Sequence, residues 1–126
     1  MIRSILFSLI LLSIFSCTKD DPTFPKTTTR VTFKTQHHER AVPFIDVYLK
    51  YDTDTFPGYD DISIFDTMIV SDEYGDVTFP RIPVGKHWVV GFGKDEFLME
   101  PVRGGLPFEI KDISMPWDSS LYISEF

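Results

Sequence analysis

From Arg30 onward the chain alternates apolar and polar residues with a period of two. Val31, Phe33 and Thr35 alternate with Thr32, Lys34 and Gln36, and Ile45, Val47, Leu49 and Tyr51 alternate with Asp46, Tyr48 and Lys50. Successive side chains of a strand point to opposite faces, so each run has one face suited to a core and one suited to water. No stretch holds a 3.6-residue period long enough for a helix of several turns. The predicted class is therefore all-β, a single sandwich of two packed sheets. A loop rich in Asp and Gly, Asp52 to Asp61, separates the second strand from a third within Ile62 to Ser71. Val77 to Phe79, His87 to Phe92, Phe108 to Ile113 and Leu121 to Ser124 complete a predicted set of about seven strands.

The segment SDEYGDVTFPRIPVGKHWVV, Ser71 to Val90, carries the most specific punctuation. An Asp side chain bonds its own backbone to open a turn, and Gly tolerates positive φ, so Asp72 and Gly75 predict a hairpin turn with a bulge. Pro80 and Pro83 supply no N–H to a ladder, which predicts a short extended crossing around Ile82 before Gly85 lets the chain re-enter a strand. This order resembles the prealbumin-like (Ig-like) sandwich domains, the carboxypeptidase regulatory-like and collagen-adhesin B-repeat families. Those run through a Thr-Asp-x-x-Gly turn, a Val-x-Phe strand and Leu-Pro-x-Gly-x-Tyr. Ser71, Asp72, Gly75, Val77, Phe79, Ile82, Pro83 and Gly85 stand at matching places, with His87 at the aromatic position. Val42, Pro43, Ile45, Val47 and Leu49 also look like the family's second strand. The resemblance covers Val31 to Phe92 and implies a fold more than a function, since such domains serve as spacers, stalks and glycan-binding accessories.

The amino terminus has a different character. Arg3 gives a positive start, Ile5 to Phe15 form an apolar stretch too short to remain as a membrane span, and Ser16 is small, the pattern of a signal peptide. Cys17, the only cysteine, follows at once. The stretch resembles a bacterial lipobox, although Phe15 stands where that pattern has a small residue. The resemblance implies acyl chains on Cys17 and a membrane anchor, more than one chain being needed for stable attachment. Lys19, Asp20 and Asp21 resemble the export signal that sends Bacteroidetes lipoproteins to the outer face of the outer membrane. The expected organisation is a signal peptide over residues 1–16, a lipidated cysteine and tether over 17–29, and the sandwich over 30–126.

The net charge of −7 over 126 residues argues against nucleic acid as a charge-driven partner, because a phosphate backbone attracts basic surfaces. No cofactor is expected. The sequence holds no Gly-x-Ser-x-Gly, no phosphate loop and no assignable nucleophile–base pair, which points to a non-catalytic protein. B-repeat domains in some adhesins carry a Lys–Asn or Lys–Asp crosslink. This chain has no asparagine and alternation turns Lys34 to water, so none is expected here. His37 and His38 are adjacent and on a strand would point to opposite sides, poor geometry for one metal, though in a turn they could do better; His87 is remote, so no His/Cys set with zinc spacing is expected. Asp52, Asp54, Asp60 and Asp61 could offer oxygens to calcium, but Phe56 and Pro57 break the EF-hand order.

One strand raises a contact question. Trp88, Val90 and Phe92 share a face, and the family template turns His87 and Val89 inward, which would leave Trp88 and Phe92 outward as candidate contacts for a glycan or protein partner; the alternatives are a central strand covered on both faces, or a template shifted by one that turns Trp88 inward. Trp117, beside Pro116, is a third candidate, placed in a loop, and Gly104–Gly105 reads as a flexible turn. Taken together, the sequence suggests a lipid-anchored surface module, accessory to an outer-membrane protein complex, with carbohydrate binding through exposed aromatics as the alternative.

Overall fold

The computed structural model describes residues 27–126. The segment read as a signal peptide, Cys17 and the Lys19–Asp21 motif lie outside the described residues. The rest is nearly all β, with one 3-10 turn at Ile62–Ile64. The strands are β1 (Thr28–His37), β2 (Arg40–Ala41), β3 (Asp46–Lys50), β4 (Thr67–Val70), β5 (Asp76–Pro83), β6 (Gly85–Asp95), β7 (Glu100–Ile110), β8 (Trp117–Tyr122) and β9 (Ser124–Glu125). Two of the nine, β2 and β9, are two-residue strands without enough sequence to show a period.

The first sheet is organised on β1, which pairs antiparallel with β5 and β2 and parallel with β8. The second runs β4-β3-β6-β7-β9, all antiparallel. Their facing sides enclose one core. Val31, Phe33, Phe79, Ile82 and Leu121 come from the first sheet and Val47, Leu49, Val89, Val102 and Ile110 from the second, with Ile45, just before β3, equally buried. Phe33 is the hub of its aromatic part, meeting Phe79, Phe108 and Trp117 edge-on at 6.4, 5.3 and 5.8 Å between ring centroids. Edge-to-face pairs set the positive ring edge on a negative face, which adds to the burial itself.

The turn between β4 and β5 has the predicted chemistry but joins different elements. Asp72 Oδ1 accepts from the N–H groups of Tyr74 and Asp76, and Gly75 donates to the Asp72 carbonyl at φ +81°. Because β4 lies in one sheet and β5 in the other, the turn carries the chain across the sandwich and is not a hairpin. The prolines also behave differently from expectation. β5 continues through Pro80 to Pro83, pairing with β1 as far as Thr28, with the register shift between Thr29 and Val31. A bulge tolerates the missing N–H, so Pro80 bends the ladder without ending it.

Gly104–Gly105 lies within β7 and not in a turn. A Cβ on Gly104 would collide with the Tyr122 carbonyl, so this glycine permits close approach of the chain between β8 and β9. Likewise β1 begins at Thr28, inside the segment read as tether.

Two glycines separate backbone strain from crowding. Gly58 has φ +86° with open space around it, while a Cβ on Gly75 would meet the Thr35 carbonyl at 3.1 Å and Ala41 Cβ at 3.2 Å. Gly58→Ala is expected to lower stability by about 1 kcal/mol, the backbone cost alone. Gly75→Ala should cost clearly more, about 2 kcal/mol or above, since overpacking adds to it. Chemical denaturation of both variants checks the order; equal losses would count against the packing described for the turn.

Candidate functional site

Period-two burial along β1 is unbroken: Thr29, Val31, Phe33, Thr35 and His37 all face the core. The last inward position is therefore an imidazole, with only 2% of its surface exposed. A buried polar ring needs partners for both nitrogens. His37 Nδ1 lies 2.8 Å from Asp95 Oδ2, and Nε2 lies 2.5 Å from Glu125 Oε2. Asp95, at the end of β6, is equally buried and is itself held on all sides. The Arg40 guanidinium donates to both of its oxygens, at 3.2 and 3.0 Å, and the N–H groups of Phe97 and Leu98 donate to Oδ1. Arg40 in turn lies over the Phe97 ring, 4.3 Å from its centroid, a cation–π contact.

These neighbours move the titrations in opposite directions. The hydrogen bond that the His37 ring donates to Asp95 raises His37 above its usual range, against the opposing effect of burial, with Glu125 adding to the rise. Burial alone would raise Asp95, but its bonds to His37, Leu98 and Phe97 and the charge of Arg40 outweigh it and hold the carboxyl low. The result is a charged plug closing one end of an apolar core.

The adjacent His38 does not point away, as an extended strand would require. His38 and Glu39 both take positive φ, +53° and +62°, and the reversal brings the two imidazoles to 4.1 Å between centroids. His38 Nε2 is 3.7 Å from the same Glu125 oxygen that meets His37. With Glu100 at the start of β7, the ligand atoms of His37, His38, Glu100 and Glu125 all lie within 4.8 Å of one another. The sequence alone cannot assemble this group: it leaves open whether the histidines stand on a strand or in a turn, and it carries no signal for β9. The clue available was that extending the Val31, Phe33, Thr35 face by two residues reaches His37. Asp52, Asp54, Asp60 and Asp61 do not belong to this group; Asp61 instead caps the 3-10 turn through Ser63.

The aromatic candidates sit elsewhere and are not open. Trp88 and Phe92 point outward from β6, as the alternation required, but the Asp52–Asp61 loop folds back over them. Phe56 meets Trp88 at 5.0 Å and Tyr59 meets Phe92 at 5.5 Å, while Tyr48 joins Phe92 to Phe65. The Arg103 guanidinium closes the row over Tyr59 at 4.4 Å. Of the two arrangements open to this strand, the exposed platform gives way to the covered one: Trp88 and Phe92 form a half-buried second layer whose stacking partners are the protein's own rings. The Trp88 indole N–H is left buried there without an acceptor. Trp117 is in β8, not a loop, and stacks on Phe108 at 5.3 Å against the core. His87 is a core residue, its Nε2 bonded to the Pro83 carbonyl and its Nδ1 accepting from Asp52 N–H. Lys34 faces out, 2.8 Å from Asp76.

No protein-family model matches the chain, and no curated protein matches it in sequence. Among solved structures it is similar to BcpA, the major pilin subunit of Bacillus cereus, with a TM-score of 0.54 and 14% identity over 79% of this chain. A variant of that subunit gives 0.51 and 15%. The chain spans less than a third of the pilin's length, 31% and 30% in the two structures. The likeness is one of fold, a β-sandwich.

Removing one member of a buried charge pair leaves the other uncompensated. Asp95→Asn is expected to cost about 3 kcal/mol or more in denaturant midpoint analysis. The pair's pH dependence follows from the two directions. His37's contribution is complete below its unfolded value near 6.5 and is lost as pH rises through the raised folded value. Asp95's contribution is complete above its unfolded value near 3.8 and is lost as pH falls through the lowered folded value. Stability in metal-free buffer should therefore peak between those limits, and Asp95→Asn should flatten the profile; a variant as stable as the wild type at pH 6 would remove the plug from the account.

Proposed function

We propose that this protein is a lipid-anchored, non-catalytic module displayed at the cell surface, which presents one end of its sandwich to a protein partner in an outer-membrane complex. The reading is carried by the direction of β1. It enters the domain at Thr28, on the side of Cys17, and ends at His37 some 30 Å away at a rise near 3.3 Å per residue. An anchor on Cys17 would attach the domain to the membrane at its Thr28 end, through an intervening chain that reaches at most roughly 40 Å. The His37 end then lies away from the attachment, with Phe97 and Met99 on the β6–β7 hairpin both well exposed. Exposed apolar groups rimmed by charge are suited to protein contact.

Further support comes from the residues around Cys17 and from the pilin likeness, since a pilin subunit is also a β-sandwich protein that serves structurally. The acidic surface fits a partner other than nucleic acid or anionic lipid.

The anchor is tested by growing expressing cells with an alkyne-labelled fatty acid. The wild type should incorporate the label and Cys17→Ala should not, while protease added to intact cells should cleave the wild-type domain. An unlabelled wild type would overturn the anchor, and complete protection from protease would overturn surface display.

A further inference from the structure

We propose that His37, His38, Glu100 and Glu125 form a structural site for a divalent cation of the zinc type, closing the end of the sandwich opposite Thr28. Four features carry it. The potential ligand atoms come from the β1 end, the following turn, the start of β7 and β9, and converge to within 4.8 Å of one another. Zinc with nitrogen and oxygen ligands near 2.0–2.1 Å needs ligand atoms roughly 3.4 Å apart in a tetrahedron. The observed spread brackets that value: His37 Nε2 and Glu125 Oε2 must part from 2.5 Å and the widest pair must close. His38 and Glu125 are solvent-exposed, at 58% and 47% for their side chains, and free to make those adjustments.

The second feature is the support behind His37. A ligating imidazole usually gives its other nitrogen to a carboxylate, which fixes ring orientation and strengthens the donor. Asp95 occupies that position at 2.8 Å, and is locked in turn by Arg40 and two backbone N–H groups. Third, consecutive positive φ values at His38 and Glu39 are what turn both rings to one side, a conformation that non-glycine residues adopt at a cost. Fourth, two imidazoles and two carboxylates suit zinc, whereas calcium and magnesium favour all-oxygen shells. Four protein ligands make a closed set, which is the structural and not the catalytic arrangement. The gain is mechanical: β9 is held to β7 by only two residue pairs and to β1 by the His37–Glu125 side-chain contact, which a cation would replace with coordinate bonds shared with β7.

The test uses the full chain, purified in detergent without a polyhistidine tag and stripped with a chelator. Titration with Zn²⁺ by calorimetry should show one saturable equivalent and a rise in melting temperature, and Co²⁺ should give the visible absorption of a low-coordinate nitrogen–oxygen site. His38→Ala and Glu100→Gln alter exposed or half-exposed groups, so their metal-free melting should stay near the wild type while affinity falls at least tenfold, the scale of losing a ligand or its support. Cys17→Ser should bind as the wild type does. The proposal is overturned if the folded wild type takes up no stoichiometric Zn²⁺, if His38→Ala and Glu100→Gln bind unchanged, or if Cys17→Ser abolishes binding.

Discussion

The structure depends on the unbroken alternation of β1. That strand is hydrogen-bonded to β5, β2 and β8, and its inward residues are all but sealed from solvent. Each apolar side chain it buries is worth about 1.5–3 kcal/mol. A one-residue slip would turn Thr32, Lys34 and Gln36 into the core and Val31 and Phe33 into water, so the register is strongly specified. The parallel pairing with β8 then fixes where Trp117 and Leu121 enter the core, and the antiparallel pairing with β5 does the same for Val77 and Phe79.

The same rule that builds the core forces His37 into it. A strand cannot change faces without a bulge, so the tenth residue of β1 is inward whatever its chemistry. The fold answers with Asp95, Arg40 and Glu125, drawn from three other strands, and the core ends in a polar network instead of a void. The outer face of the second sheet shows the complementary solution. Trp88 and Phe92 would lie bare on β6, and a loop studded with Phe56 and Tyr59 covers them. That cover leaves the Trp88 N–H unpaired, an expense of about 1–3 kcal/mol set against the area buried by the rings.

Much of this was legible in the residues. The period-two runs predict the sandwich, and Asp72 with Gly75 predict the turn at the right atoms. What local signals do not carry is which sheet a strand joins: the same turn chemistry serves a hairpin and a crossing, and only the distribution of strands between sheets decides. Gly104–Gly105 read as a turn because glycine marks both turns and close approach, and the approach is made by a segment near Tyr122 with no local trace. The His37 cluster was hidden for a similar reason. Its members lie up to 88 residues apart, and Glu125 sits on a strand too short to show a period. Cys17 and the Lys19–Asp21 motif lie outside the described residues, and their reading rests on the sequence.

The dependence of the whole sandwich on β1 is tested most directly by native-state hydrogen exchange resolved by residue. The amides of β1 that bond β5 and β8 should exchange only through global unfolding and be the slowest in the chain, with the covering loop between Asp52 and Asp61 opening far more readily. Exchange of the β1 amides as fast as that loop, while β6 and β7 stay protected, would contradict the account.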